Sequence, residues 1–207
     1  MDQPLVSIIV PVYNQPQLVV RALDSIPDRE DVEICIYNDG STDETGHVLA
    51  MWVEIAIYER KNPIKYRPCH ENHGLGYAKN QLYEMATGDY IHELDSDDFL
   101  YTDKYEAVLN ELDGTDVVYI DMLTYEGRRF HLTPESRRGF CGGPCRFYRR
   151  EFIQGLRCKE IRSGEDWYFN EEVLAKNPTE KFTGCIAYHY NFPREGSLYD
   201  QMIKGEL

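Results

Sequence analysis

Leu94-Asp95-Ser96-Asp97-Asp98 sets three carboxylates within four residues, directly after Asp89-Tyr90-Ile91-His92-Glu93, which reads as a short, half-buried strand. Acids this close repel one another, and a cation usually offsets the repulsion. Where a strand of an α/β sheet ends, that cation is often a hard divalent ion with oxygen ligands. The same run also reads as a solvated acidic turn that caps the following helix. A second acidic group, Glu165-Asp166 after Gly164, fits the first turn of a helix, where the dipole favours negative charge.

Hydrophobic patterning supplies the elements that would position these groups. Residues 5–10 are a continuous apolar run suited to a buried parallel strand. Asn14 and Pro16 then open a helix with Leu18, Val19, Ala22, Leu23 and Ile26 on one face. Residues 32–37 form a second strand, ended by the polar turn 38–43, which also caps the next helix. A short strand at 64–67 and the flexible loop 71–76 lead into a helix through Met85, closed by Gly88. Residues 90–94 are the fourth strand, and Tyr105, Val108, Leu109 and Leu112 mark another helix.

This alternation predicts a single α/β domain over 1–207, with a mixed, mostly parallel sheet and helices on both faces. After Asp121 the rhythm changes: a hairpin at Glu126-Gly127, Arg- and Gly-rich loops, a helix over 166–176 and a strand over 182–190. Ligands of such sheets bind beyond the carboxyl ends of the strands. The loops at 13–14, 38–43 and 95–98 would meet there.

Composition narrows the partners. Asp and Glu number 36 against 22 Lys and Arg, a formal charge of −14 that argues against a nucleic acid. No run approaches the length of a membrane span, and the N-terminus lacks the pattern of a signal peptide. None of the 6 cysteines forms a Cys-x-x-Cys pair, so a zinc site is not expected. A reduced, cytoplasmic protein follows as the expectation.

Read in series, Val6-Ser7-Ile8-Ile9-Val10-Pro11-Val12-Tyr13-Asn14, Asn38-Asp39-Gly40-Ser41-Thr42-Asp43, Asn72-His73-Gly74 with Ala78-Lys79-Asn80, Leu94 to Asp98, and Gly164-Glu165-Asp166-Trp167 resemble the family-two glycosyltransferases of GT-A fold. The resemblance implies a nucleotide-sugar-binding half over 1–120 and an acceptor-binding half over 121–207. It places Pro11, Val12, Tyr13, Asn14, Asp39, Asn72, Gly74, Lys79, Asp95, Ser96, Arg150 and Arg194 around the donor. Tyr13 would stack on the base, and Asp39 would accept a base N–H. Asp97 and Asp95 would hold Mn²⁺ or Mg²⁺ against the diphosphate, with Asp98 facing away or capping the next helix. Asp166 would be the base of an inverting displacement, with Glu165 beside it in an acceptor role. His189 would complete the metal site; otherwise Arg194, before Gly196-Ser197, would meet the diphosphate directly, and His189 would be a strand histidine.

The implied partners are a nucleotide sugar, UDP-linked first, and a hydroxyl acceptor. The chain stops at Leu207 soon after its last expected strand, so the resemblance implies a minimal catalytic unit rather than a membrane-embedded polymer synthase. A second subunit would complete its acceptor site in an oligomer. A nucleotidyltransferase would need a Gly-rich phosphate loop after the first strand, where this chain has Pro11 to Asn14. A non-catalytic nucleotide- or sugar-binding module of the same fold is the other reading, against which Asp95, Asp97 and Asp166 argue.

Overall fold

The computed structural model describes residues 3–139, 142–161 and 164–192. Its first half runs β1 (Val6–Val12), α1 (Val19–Asp24), β2 (Val32–Asn38), α2 (Thr45–Glu59), β3 (Ile64–Pro68), α3 (Leu75–Met85) and β4 (Tyr90–Glu93). The second half runs β5 (Phe99–Leu100), α4 (Thr102–Leu109), β6 (Val117–Thr124), β7 (Arg129–Phe130), a 3₁₀ turn (Gly143–Cys145), β8 (Arg146–Arg149), α5 (Glu165–Ala175) and β9 (Glu180–Tyr190).

Among the described residues one sheet carries every strand, in the order β3-β2-β1-β4-β8-β6-β9-β5, with β7 on β6. β1 and β2 are buried at each position, as their unbroken apolar runs require. The pairs β2–β3, β1–β2 and β1–β4 are parallel, so their carboxyl ends share one edge. β8 reverses direction between β4 and β6, and β9 returns parallel to β6. The sheet is therefore mixed, parallel through its first half and antiparallel in its second except for the β6–β9 pair. His92 locks the change of direction. It is fully buried, stacks on Phe147 at 4.3 Å and bonds the Pro144 carbonyl and the Tyr105 hydroxyl. Burial lowers its pKa to about 4, so it stays neutral.

Two boundaries differ from the sequence expectation for identifiable reasons. α1 starts later than Asn14-Pro16 because Asn14 adopts a left-handed φ of 51°. Its amide and that of Gln15 donate to Ser41 Oγ and Thr45 Oγ1, so neither is oriented to begin a helix. Gly88 does not close α3, which ends at an extended Ala86. A Cβ on Gly88 would lie 2.6 Å from the Ser7 amide nitrogen, so the glycine allows close approach to β1.

Candidate active site

The strand ends are tied into one rim by side chains of the first two loops. Pro11 and Val12 are buried within β1, whereas Tyr13 is 44% exposed and presents its ring to solvent. Asn14 Oδ1 accepts from the Thr42 amide at 2.9 Å, fastening the β1 loop to the β2 loop. Asp39 is buried at the end of β2 and accepts from the amides of His73 at 3.1 Å and Gly74 at 2.8 Å. Asn72 donates to the Asp39 carbonyl. The carboxylate is thus a clamp for the loop 71–74 as well as a candidate acceptor for a base. Burial raises its pKa, and the two amides hold that rise back.

The acidic loop follows β4. Ser96 is buried, while Asp95 and Asp97 are partly exposed. Arg21 of α1 donates to the Asp97 carbonyl at 2.6 Å, and the Asp95 amide donates to Tyr188 Oη at 3.1 Å. Burial, then Asp98, pushes the Asp95 carboxyl well above the usual range, against the pull of Lys79. Carboxylates that resist ionising together are hard oxygen donors short of positive charge, which fits a divalent cation such as Mn²⁺ or Mg²⁺. Among the described residues no three His, Cys, Asp or Glu side chains close a ligand cluster, so other oxygens would have to complete the coordination.

Asp98 does not cap α4, whose N-cap is Tyr101. It turns inward and accepts from the Tyr188 hydroxyl at 2.6 Å and the Asn191 amide at 2.7 Å, fastening β9 to the acidic loop. Burial, then the Asp97 charge, pushes it up to about 7. A carboxyl raised in the folded state adds stability while protonated, and that contribution fades as pH climbs through the folded pKa. The metal-free protein should lose about 2 kcal/mol of unfolding free energy between pH 5 and pH 8 on this account. Asp98→Asn should flatten that slope in urea titrations; an unchanged slope would remove Asp98 as its source.

Behind the acidic loop lies a buried ion cluster. Lys79 of α3 is 1% exposed, and its ammonium meets Glu93 at 3.0 Å, Glu165 at 3.5 Å and Asp166. Desolvation opposes the ammonium, but Asp166, Glu93 and Glu165 together raise its pKa well above the usual value. Glu165 is pushed up by burial and pulled back by Lys79. Glu165 and Asp166 form the first turn of α5, as the helix-terminus reading expects.

Two positions expected at the donor are engaged elsewhere, and His189 has ring partners of its own. Lys79 is enclosed by carboxylates and is not available to a phosphate. Arg150 sits at the amino end of β4, where its guanidinium donates to the Gly88 carbonyl at 2.7 Å; it lines a cavity of about 460 Å³ with Gln3 and Asp89. β8 runs antiparallel to β4, so the residue after it emerges at the opposite edge from Asp95. His189 stacks on Phe99 at 4.2 Å and bonds the Tyr101 hydroxyl through Nδ1. Burial, then the neighbouring Arg21 charge, lowers its pKa, and its Nε2 is buried with no hydrogen-bond partner among the described residues. Arg194 lies outside the described residues.

Glu93, Gly143, Arg21 and Tyr188 were not expected at the site. Glu93 carried a readable signal: an acid ending a buried strand demands a cation, and Lys79 is the cation on the buried face of α3.

A family model described as "Glycosyl transferase family 2" matches residues 7–161. A putative glycosyltransferase, EpsH, from Bacillus subtilis is 35% identical over an alignment covering 92% of this chain and 61% of that protein. The chondroitin synthase of Escherichia coli is 40% identical over 110 residues, 52% of this chain and 15% of that protein. Two solved structures share the fold. S. aureus TarS 1–349 in complex with UDP-GlcNAc aligns with TM-score 0.76 and 22% identity, over 93% of this chain and 59% of that one. The mannosyltransferase PcManGT from Pyrobaculum calidifontis, in complex with GDP-Man and Mn²⁺, aligns with TM-score 0.75 and 20% identity, over 94% of this chain and 59% of that one. In each match the chain spans less than two thirds of its relative's length. No helix among the described residues is long and apolar enough to cross a membrane.

Proposed function

This chain belongs to glycosyl transferase family 2, and from that membership we propose an inverting transfer of a sugar from a nucleotide sugar, UDP-linked first, to an acceptor hydroxyl. The observation that carries the reading is a gradient of exposure within the ion cluster. Lys79, Glu93 and Glu165 side chains are 1%, 2% and 7% exposed, whereas Asp166 is 28% exposed. Asp166 is the most exposed of the four groups, and Asp95 feels its charge.

Tyr13 would stack on the base, with Asp39, Asn72 and Gly74 shaping the edge that selects it. Asp97 and Asp95 would hold Mn²⁺ or Mg²⁺, which when bound stabilises negative charge on the departing diphosphate. Asp166 takes the proton of the acceptor hydroxyl as that oxygen bonds the anomeric carbon and the nucleoside diphosphate departs with its electron pair. Trp167, 46% exposed beside the base, offers an apolar face to an acceptor ring. A neighbour crystallised with a UDP-sugar supports UDP as the first choice, and one with GDP-Man keeps GDP as its competitor.

Thermal unfolding with UDP, GDP and CDP, each with and without Mn²⁺, tests the donor site. A ligand at 100 times its dissociation constant adds about 2.7 kcal/mol, a rise of roughly 5–11 °C for a chain this size. The rise is expected with UDP only when Mn²⁺ is present. A GDP-specific rise would change the donor, and no rise with any nucleotide would defeat the reading. Binding without transfer to any acceptor would favour the non-catalytic module.

A further inference from the structure

Lys79 is the centre of an arrangement that donor binding does not explain. Its ammonium is buried among Glu93, at the end of β4, and Glu165 and Asp166, on the first turn of α5. Glu93 is held there independently of the lysine: the Tyr83 hydroxyl donates to its Oε1 at 2.5 Å. Room for its other oxygen exists because residue 143 is glycine; a Cβ there would fall 1.9 Å from Oε2. A lysine needed only to hold Asp166 would require neither a second carboxylate nor space made for one.

We propose that Lys79 and Glu93 are positioning residues for proton transfer: a permanent buried ion pair from which Asp166 detaches on protonation and to which it returns. The inference rests on the reading of Asp166 as the base. While ionised, Asp166 is oriented by Lys79. When the acceptor O–H proton passes to its carboxylate, the attraction to Lys79 falls, because a neutral acid is a weaker partner than an anion. Glu93 and Glu165 still neutralise the ammonium, so no uncompensated charge is left buried. Loss of the proton to solvent restores the triple contact. Without Glu93, each turnover would weaken the pairing of a buried cation.

The test is the pH dependence of kcat, with UDP-N-acetylglucosamine as probe and released UDP as readout. Removing the cation in Lys79→Met should move the acid limb up by about 1–3 pH units. Removing a negative charge in Glu93→Gln should move it the other way, and Lys79→Arg should leave it near the wild-type position. A readout free of substrate uses ¹³C-carboxyl-labelled glutamate. The Glu165 signal, identified by its loss in Glu165→Gln, should titrate higher in Lys79→Met, since Lys79 holds that carboxyl down. A purely structural role would lower kcat or stability and leave the limb in place, the Glu165 signal then reporting only that the charge has been removed. That result in folded variants would overturn the proposal while leaving the base assignment standing. Should Lys79→Met not fold, Glu93→Gln and Lys79→Arg decide. Transfer retained by Asp166→Asn would instead remove the base and this proposal with it.

Discussion

Asp166→Asn should lower kcat by about 10²–10⁴-fold and leave Mn²⁺-dependent UDP affinity unchanged. The substitution is nearly isosteric, and Lys79 keeps Glu93 at 3.0 Å and Glu165 at 3.5 Å, so the cluster stays compensated and the fold survives. What is lost is the carboxylate proposed as the base. Asp97→Asn should behave in the opposite way. It removes charge from the loop proposed to hold the ion, so donor affinity falls while the base remains intact. Steady-state kinetics and calorimetric UDP titration, each with and without Mn²⁺, separate the two. Equal losses of donor affinity in both variants would overturn this division of roles.

Gly40→Ala should be strongly damaging to the nucleotide half. Gly40 has a left-handed φ of 68°, and a Cβ would lie 2.3 Å from the Glu71 carbonyl carbon and 2.5 Å from the Asn72 amide nitrogen. Both neighbours are backbone, so relief requires moving the loop. The left-handed conformation costs an alanine about 1–2 kcal/mol and overpacking typically about 1–3 more, roughly 3 kcal/mol in all. The moved loop is the one whose His73 and Gly74 amides hold the Asp39 carboxylate, so UDP binding should weaken along with stability. Gly139→Ala is a matched control, since its Cβ would meet nothing nearer than the Ser136 carbonyl at 3.7 Å. Urea unfolding and UDP titration of both variants check this; equal behaviour would show that the loop adapts at no cost.

The two halves of the chain were not equally legible. β1, β2 and α3 follow from apolar runs and turn residues a few positions apart, and the sequence expectation places them within two residues of their ends. The conjunction of Asp39 with His73 and Gly74 was readable only as a series of familiar motifs, because backbone amides leave no mark in composition. Arg150 shows where local reading stops. Its side chain follows a strand whose direction depends on pairing with β4, a partner more than fifty residues earlier, and reversing that direction carries the residue to the far edge of the sheet. Lys79 failed for another reason. A lysine beside a phosphate site and a lysine inside an ion cluster look alike in sequence, and only the convergence of β4 and α5 on α3 distinguishes them.

The return of β9 has a consequence for biosynthesis. Tyr188 holds the acidic loop from a position 93 residues beyond Asp95 and 90 beyond Asp98. Contacts that close so large a loop form late, after the entropy of closure has been met. β1 to β4 can align as soon as they leave the ribosome, bringing with them the loops that would grip a base. The acidic loop acquires its Tyr188 anchor only when β9 is inserted beside β6. A nascent chain would then pass through a stage in which β1 to β4 are paired while the acidic loop still lacks its contacts with Tyr188.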